Sequence, residues 1–462
     1  MSAFKVIVVG GGPVGLTAAH SLSRANLDFV VLESRSKIVL DAGSNLVLLP
    51  IGLRVLGQLG LLPVIERVSS PMSRFKRIDH EGRNIGDTLW FTYFKENHGA
   101  YPRVISRHDL MQTLYDGLPA EAQAKLLPNK KVVDVVTGPS GVKVTCADGT
   151  TYEGAVVVGA DGAHSKVRDL MRTAALQSAT PVEVNDAKPF LTSYRAMWVR
   201  FPTVAPVQPG DASETHGYDC TLQLFAGEDT SVIGIYERLD EPTRDGVRYT
   251  QADEAQFIER WGHLPIVGSG SGKGGPKFTI GDAYANRTQA GMVNLEEGIL
   301  NRWSWDRIVL AGDAAHKFTP STGAGCNNGI VDVVALANEM YHAFREVRGA
   351  SGDATAFPDR DRLLAAFDDY QQVRFDTVKD GLAAASQATG SATWSDMTHR
   401  FVDRHILSKP SLQKFFATWN ARALARTPVF EYVEGEEHMV GKFPWAQPIR
   451  EATARAEPAQ AT

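Results

Sequence analysis

The chain has 462 residues, 43% of them hydrophobic and 22% charged, with a formal net charge of -5. That length predicts two or three domains rather than one simple core, and the composition is that of an ordinary globular protein. The balance of charge gives no reason to expect nucleic-acid or acidic-membrane binding, and no run of about 18 uncharged apolar residues is present to span a bilayer.

The first 35 residues organise the reading. Val6-Ile7-Val8-Val9 is a continuous β-branched run, as a strand buried on both faces of a parallel sheet requires. It enters Gly10-Gly11-Gly12-Pro13-Val14-Gly15, which fits G-x-G-x-x-G at Gly10, Gly12 and Gly15. A helix from Leu16 to Arg24 follows, then a second strand, Phe29 to Leu32, ending in Glu33. In such a unit Gly10 makes the tight turn, Gly12 admits a pyrophosphate and Gly15 lets helix and strand pack closely. The helix N-terminus then offers free N–H groups to the phosphates, and Glu33 can accept the ribose hydroxyls of an adenosine. An acid here favours FAD or NAD over NADP, whereas Arg35 could accept a 2′-phosphate. The chain leads straight into its first strand, which leaves no room for a signal peptide. Cys146, Cys220 and Cys326 are odd in number, widely spaced and without metal-type spacing, so they read as free thiols of the reducing cytoplasm.

Further along, Gly52 to Leu62 reads as a helix with Leu53, Leu56 and Leu59 on its buried face. Met72 to Phe94 suggests a hairpin outside the nucleotide fold, and a helix starts near Ser106. Arg107 in that helix's first turn gains nothing from the dipole, which hints at an anionic partner as readily as at a surface arginine. Strands at Lys131–Val136, Gly141–Cys146 and Gly154–Val158 lead to Asp161-Gly162-Ala-His-Ser165-Lys-Val-Arg168, a second strand-turn-helix junction. Phe190–Phe201, Thr221–Ala226 and Ser231–Glu237 alternate as half-buried antiparallel strands do. Arg244 to Gly275 is rich in charge and glycine and predicts a mobile surface loop. The third junction runs from Asp306 through Gly312-Asp313, Pro320 and Gly323-Ala-Gly325-Cys326 into a long helix, Ile330–Arg345. The remainder from Arg360 is helical in pattern to Pro428, and the tail after Ala452 has the composition of a disordered segment. His164 and His316 lack metal-ligand company and read as structural; no metal site is expected. Asp41 reads as a solvated loop acid, and Trp303 and Trp305 as packing residues.

Taken together, Gly10-x-Gly12-x-x-Gly15 with Glu33, Asp161-Gly162-x-x-Ser165-x-x-Arg168, and Gly312-Asp313 with Pro320 and Gly323-x-Gly325 resemble the group A FAD-dependent monooxygenases, the para-hydroxybenzoate-hydroxylase-like enzymes. Leu48-Leu-Pro50-x-Gly52-Leu-Arg54-x-Leu56 and Asn294-Leu-Glu-Glu-Gly298 look most like fungal pathway enzymes that oxidise indole alkaloids and meroterpenoids, of the paraherquamide-pathway or paxilline-epoxidase type. The resemblance implies an α/β (α+β) fold. It comprises a discontinuous Rossmann-like FAD-binding domain (1–72, 101–180, 285–345), an inserted antiparallel-sheet substrate domain (73–100, 181–284) and a C-terminal helical region (346–462).

It also implies a set of cofactor-binding positions. Glu33 would hold the adenosine ribose, with Gly10, Gly12, Pro13, Gly15 and Arg35 around the adenosine diphosphate, and Arg107 would contact the FAD. Asp161 would serve FAD and passing NAD(P)H, Asp313 a ribityl hydroxyl, and Val47 a backbone contact. Gly312, Pro320, Gly323, Gly325 and Cys326 would carry or flank the backbone facing the isoalloxazine. Ala324, where glutamine is common, and Cys326 depart from the family but would contribute mainly amides. The fungal membrane-bound relatives end in hydrophobic helices that this chain lacks, which points to a soluble enzyme, a monomer or weak dimer.

The implied reaction uses NADPH or NADH and O2, through a flavin hydroperoxide, to epoxidise or hydroxylate a bulky indole alkaloid or prenylated polycycle. Arg195 matches a position at which related enzymes place an assisting arginine, and Tyr218 is the second catalytic candidate; a buried salt bridge and a rim aromatic are the plain alternatives. A guanidinium is a poor acid but a good stabiliser of developing oxyanion charge. A phenol hydroxylase or flavin halogenase, and a non-enzymatic prenyl-binding escort protein, are the competing readings.

Overall fold

The protein is described from a computed structural model that covers residues 4–41, 44–178, 183–267 and 278–451. Its nucleotide half is built on a six-stranded sheet in the order Ser304–Trp305, Ile308–Leu310, Val156–Gly159, Lys5–Val9, Asp28–Leu32, Leu126–Leu127. Only the first pair is antiparallel. Lys5–Val9 is central, with Val6 beside Val156 and Phe29, and Val6 to Val8 have no exposed surface. This is why the opening run shows no polar alternation: both faces are covered, by Pro13–Arg24 among others. The 28-residue helix Ala324–Ser351 packs on that helix and on the 33-residue helix Arg360–Ala392.

A second, seven-stranded sheet runs His316–Lys317, Gln289–Ile299, Leu191–Pro202, Thr230–Thr243, Cys220–Ala226, Asp211–His216, Arg74–Asp79. It is antiparallel except for its last pair. Its outer face carries a separate core in which Met197, Val199, Phe201, Ile233 and Ile235 meet Phe257, Ile280 and Ala283. Its inner face looks toward the loop Pro320–Thr322, whose Ser321 carbonyl oxygen accepts from Gln223 Nε2 at 2.9 Å.

Two expectations from sequence are corrected. Arg244 to Gly275 is not a loop throughout, because Gln251–Trp261 is a helix whose N-terminus is closed by a reciprocal Thr250–Asp253 capping box. Residues 268–275 of that stretch, like the tail after Ala452, lie outside the described residues. Met72 to Phe94 contains Arg74–Asp79, the last strand of the second sheet, and the return arm of the expected hairpin is reduced to isolated antiparallel bridges, Phe75 to Thr88 and Ile78 to Asn84, before the helix Trp90–His98 begins. Among the described residues no helix is long and apolar enough to cross a membrane.

Candidate active site

Backbone geometry explains the opening glycines. Gly10 sits at φ +105°, where a Cβ would lie 2.4 Å from the Ala160 carbonyl oxygen, and a Cβ on Gly15 would lie 1.9 Å from the Gly10 oxygen. The chain can therefore turn off Lys5–Val9 and start a helix at Pro13 within four residues. Gly12 is the N-cap of that helix and supplies no side-chain acceptor, so the first-turn amides stay available to a ligand. Glu33 is pinned at the neighbouring strand tip, accepting from the Gly11 amide at 2.7 Å and the Arg35 amide at 2.8 Å. Arg35 itself is exposed.

Arg107 completes this end. It is half-buried, and a methyl group at Gly12 would lie 3.7 Å from its Nη2. Burial lowers its pKa, against the opposing fields of Cys326, Asp313 and Glu33. Its guanidinium has no hydrogen bond or ion pair among the described residues. A desolvated, unpaired cation beside an uncapped helix N-terminus is a site for an anion.

The third junction closes the cradle. Gly312–Ala314 is a single 3-10 turn that carries Asp313, whose carboxylate also has no partner among the described residues and lies beside Gly325. Pro320–Thr322 is another such turn, ending at Gly323 in the left-handed region (φ +65°), the uncapped N-cap of the long helix. Val47 packs against Gly323 at this point, where an added Cβ would meet it at 3.3 Å. Burial pushes the Cys326 thiol up to about 12, so the residue offers its amide rather than a thiolate. Asp161 accepts from Ser165 Oγ at 2.5 Å and the Val167 amide at 3.1 Å, and so caps the helix Lys166–Leu176. Arg168 ties that turn to the Asp313 turn, donating to Ala163 O at 2.9 Å and Ala314 O at 3.3 Å.

Sequence reasoning missed the residues that hold the cradle from behind. Asn327 Oδ1 accepts from the Leu49 amide at 2.9 Å, while its Nδ2 donates to Val47 O and Gly323 O at 2.8 Å each. Asp332 is fully buried and accepts from the Gly312 amide at 2.9 Å, His316 Nε2 at 2.6 Å and Arg374 Nε at 2.8 Å. Burial raises its pKa, yet His316 and Arg374 outweigh burial and hold it at about 2. An acid inside an otherwise apolar helical run was the readable signal.

The two catalytic candidates are not brought to the cradle. On Leu191–Pro202, Arg195 shares the outer face with Met197 and Val199, ion-paired to Glu237, which also accepts from Arg260 Nη1 at 2.7 Å. Tyr218 is exposed, with its hydroxyl accepting from Arg400 Nη1 at 2.6 Å and its ring edge-on to Trp394. What faces the loop Pro320–Thr322 is a polar chain on the inner face. Gln223 Nε2 bonds both Ser321 O and Glu214 Oε1, and Tyr236 Oη donates to Gln223 Oε1 at 3.1 Å. Glu214 Oε2 meets His216 Nε2 at 2.9 Å, and His216 Nδ1 meets Asp403 Oδ2 at 3.0 Å. Asp403 is paired in turn with Arg77 and Trp394. Burial opposes a charge on His216, but Asp403 and Glu214 prevail and raise its pKa. Asp41, the expected solvated acid, is exposed and paired to Arg200 at 2.8 Å.

Comparison with known proteins agrees with this geometry. Residues 3–200 and 278–367 match the FAD binding domain family. The chain is 30% identical over 410 residues to the FAD-dependent monooxygenase ausM of Penicillium brasilianum, covering 88% of this chain and 82% of that one. It is 29% identical to the FAD-dependent monooxygenase srdH of Neurospora crassa, covering 96% and 99%. Against the FAD-dependent monooxygenase verC1 of Penicillium polonicum it is 31% identical over 350 residues, which span 74% of this chain and 42% of that longer protein. Among solved structures, Klebsiella pneumoniae HpxO complexed with FAD and uric acid superposes with a TM-score of 0.70 at 19% identity, covering 91% of this chain and 96% of that one. The p-nitrophenol 4-monooxygenase PnpA of Pseudomonas putida gives 0.69 at 20% identity, covering 92% and 99%.

Proposed function

The chain belongs to the FAD binding domain family and is an FAD-dependent monooxygenase, and we propose that its substrate is a bulky polycycle, an indole alkaloid or prenylated natural product of fungal secondary metabolism, which it epoxidises or hydroxylates in the cytoplasm. The observation that carries the site assignment is the unpaired Arg107 guanidinium between two uncapped helix N-termini. When bound, FAD would supply the redox chemistry, hydride acceptance from NAD(P)H and activation of O2 for transfer of one oxygen atom. Arg107 and the amides after Gly12 would bind its pyrophosphate, Glu33 its adenosine ribose and Asp313 a ribityl hydroxyl. The amides after Gly323 would stabilise negative charge on the ring from a preorganised helix terminus. The Leu48–Leu56 and Asn294–Gly298 stretches support the substrate class.

The inner-face chain replaces Arg195 and Tyr218 as the source of the proton that the reaction consumes. Asp403 and Glu214 favour a proton on His216, and Glu214, the less buried of the two acids, would pass it to water in the site, since Gln223 Nε2 donates to Glu214 and cannot accept it. Gln223 keeps Glu214 in register with the Ser321 loop.

The test is a visible spectrum of the purified protein, then NADPH and NADH oxidation with panels of indole alkaloids, prenylated polycycles and simple phenols. A flavin spectrum with oxidation accelerated by a polycycle supports the reading. Acceleration by simple phenols alone, or a product formed only with halide, replaces the substrate class with a phenol hydroxylase or halogenase.

A further inference from the structure

The helix Pro410–Leu424 has two apolar faces, and it hides the weaker one. Gln413, Ala417 and Ala421 are buried and seat it on Trp90–His98, where Asn97 and Leu89 bond the Ala417 and Gln413 oxygens. Leu412, Phe415, Phe416 and Trp419 lie on another face, at the i, i+3, i+4, i+7 spacing of a single stripe. Phe415 is 64% exposed, Phe416 38% and Trp419 69%. A helix that packs alanine inward and leaves two phenylalanines and a tryptophan in water is built to meet something else.

Charge identifies what that is. From Arg404 to Phe430 there is no Asp or Glu, while Arg404, Lys409, Lys414, Arg422 and Arg426 fall within the same stretch of a chain whose net charge is -5. The four exposed cations Lys409, Lys414, Arg422 and Arg426 have no acid partner among the described residues. The overall acidity of the chain therefore conceals one basic, aromatic segment. A second copy of the chain would set these cations against themselves. An anionic bilayer surface satisfies both features at once, taking the aromatic stripe into the headgroup region and pairing lipid phosphates with the flanking cations.

We propose that Pro410–Leu424 docks the enzyme on anionic phospholipid membranes as an in-plane helix, with Leu412, Phe415, Phe416 and Trp419 inserted and Lys409, Lys414, Arg422 and Arg426 at the phosphates. This assignment is independent of which substrate the enzyme oxidises.

Flotation of the full chain with phosphatidylcholine vesicles, with and without phosphatidylserine, tests it. The protein should float with the phosphatidylserine vesicles, be released by added salt and show a blue-shifted tryptophan emission that Trp419→Phe removes. The double variant Phe415→Ser with Trp419→Ser should bind these vesicles at least tenfold more weakly, and Lys414→Glu with Arg422→Glu should abolish the preference for phosphatidylserine, both with unchanged circular dichroism and flavin spectrum. Failure to float overturns the proposal, as does binding that the variants leave intact. A concentration-dependent dimer in size exclusion that disappears in the Phe415→Ser, Trp419→Ser variant also overturns it, by assigning the stripe to a second copy.

Discussion

Asp332→Asn isolates the support behind the Asp313 turn. Asp332 accepts three hydrogen bonds, from the Gly312 amide, His316 and Arg374, with no exposed surface. The substitution keeps the volume and removes the charge. It leaves the buried Arg374 guanidinium without a carboxylate and turns an N–H donor toward groups that are themselves donors. Removing one partner of a buried pair costs about 3–5 kcal/mol. For a chain of 462 residues unfolding as one unit, with an entropy of about 1 kcal/mol/K, that is a fall in Tm of about 3–5 °C. Because the Gly312 amide loses a charged acceptor, FAD affinity should fall with Tm, read by quenching of flavin fluorescence.

The pH dependence gives an independent check on the same carboxylate. Its folded pKa lies at about 2, below the 3.8 of a free aspartate, so the stabilisation is complete above pH 3.8 and is lost as pH falls through 2. At 1.36 kcal/mol per unit the term is about 2 kcal/mol, so the wild type should lose more stability than Asp332→Asn between pH 4 and 2. Adding Arg374→Met to Asp332→Asn should recover part of the loss, since the unpaired cation is then gone. A Tm within 1 °C of wild type, or a double variant no better than the single, would refute the argument.

Two further outcomes follow from the same geometry. Arg107→Met removes the unpaired cation, and with charge-assisted hydrogen bonds contributing about 1.5–3 kcal/mol, FAD should bind about 10- to 100-fold more weakly while the far-ultraviolet circular dichroism of the apoprotein is unchanged; equal FAD affinity would show that the guanidinium does not face the cofactor. Arg195→Leu should cost about 1 kcal/mol of stability and leave kcat and its pH profile unaltered, because the side chain is partly exposed and Glu237 keeps Arg260; a large loss of kcat with KM unchanged would restore Arg195 as a catalytic group.

How much of this was legible depends on how local the physics is. The opening unit could be read because its constraints act within a few residues of Gly10 and Gly15. The capping box of Gln251–Trp261 was equally local, as Thr250 and Asp253, but it was submerged in a stretch whose charge and glycine content suggested a loop. Which face of Leu191–Pro202 looks at the cofactor was not local. Alternation separates Tyr194 from Arg195 but cannot say which core each meets, and both faces of this sheet are covered. A register shift between Thr192 and Tyr194 adds to the ambiguity. The pairings of Asp332 with Arg374 and of His216 with Asp403 span 42 and 187 residues, and no spacing rule connects them.

These long-range pairs share one arrangement. Two turns of the cradle present backbone toward the ligand and are gripped from behind by buried polar side chains: Gly312 by Asp332 and Gly323 by Asn327. Amides aimed at a charge that develops during reaction are useful only if they do not reorient when it appears, and the rigidity must then come from groups that do not touch the ligand. On the proposed reading, that separation leaves the side chains of Ala324 and Cys326 free to vary at the front of the cradle, where only their amides would be used. Behind it, substitution is not neutral, because every one of these side chains is buried or half-buried and would leave a partner unsatisfied.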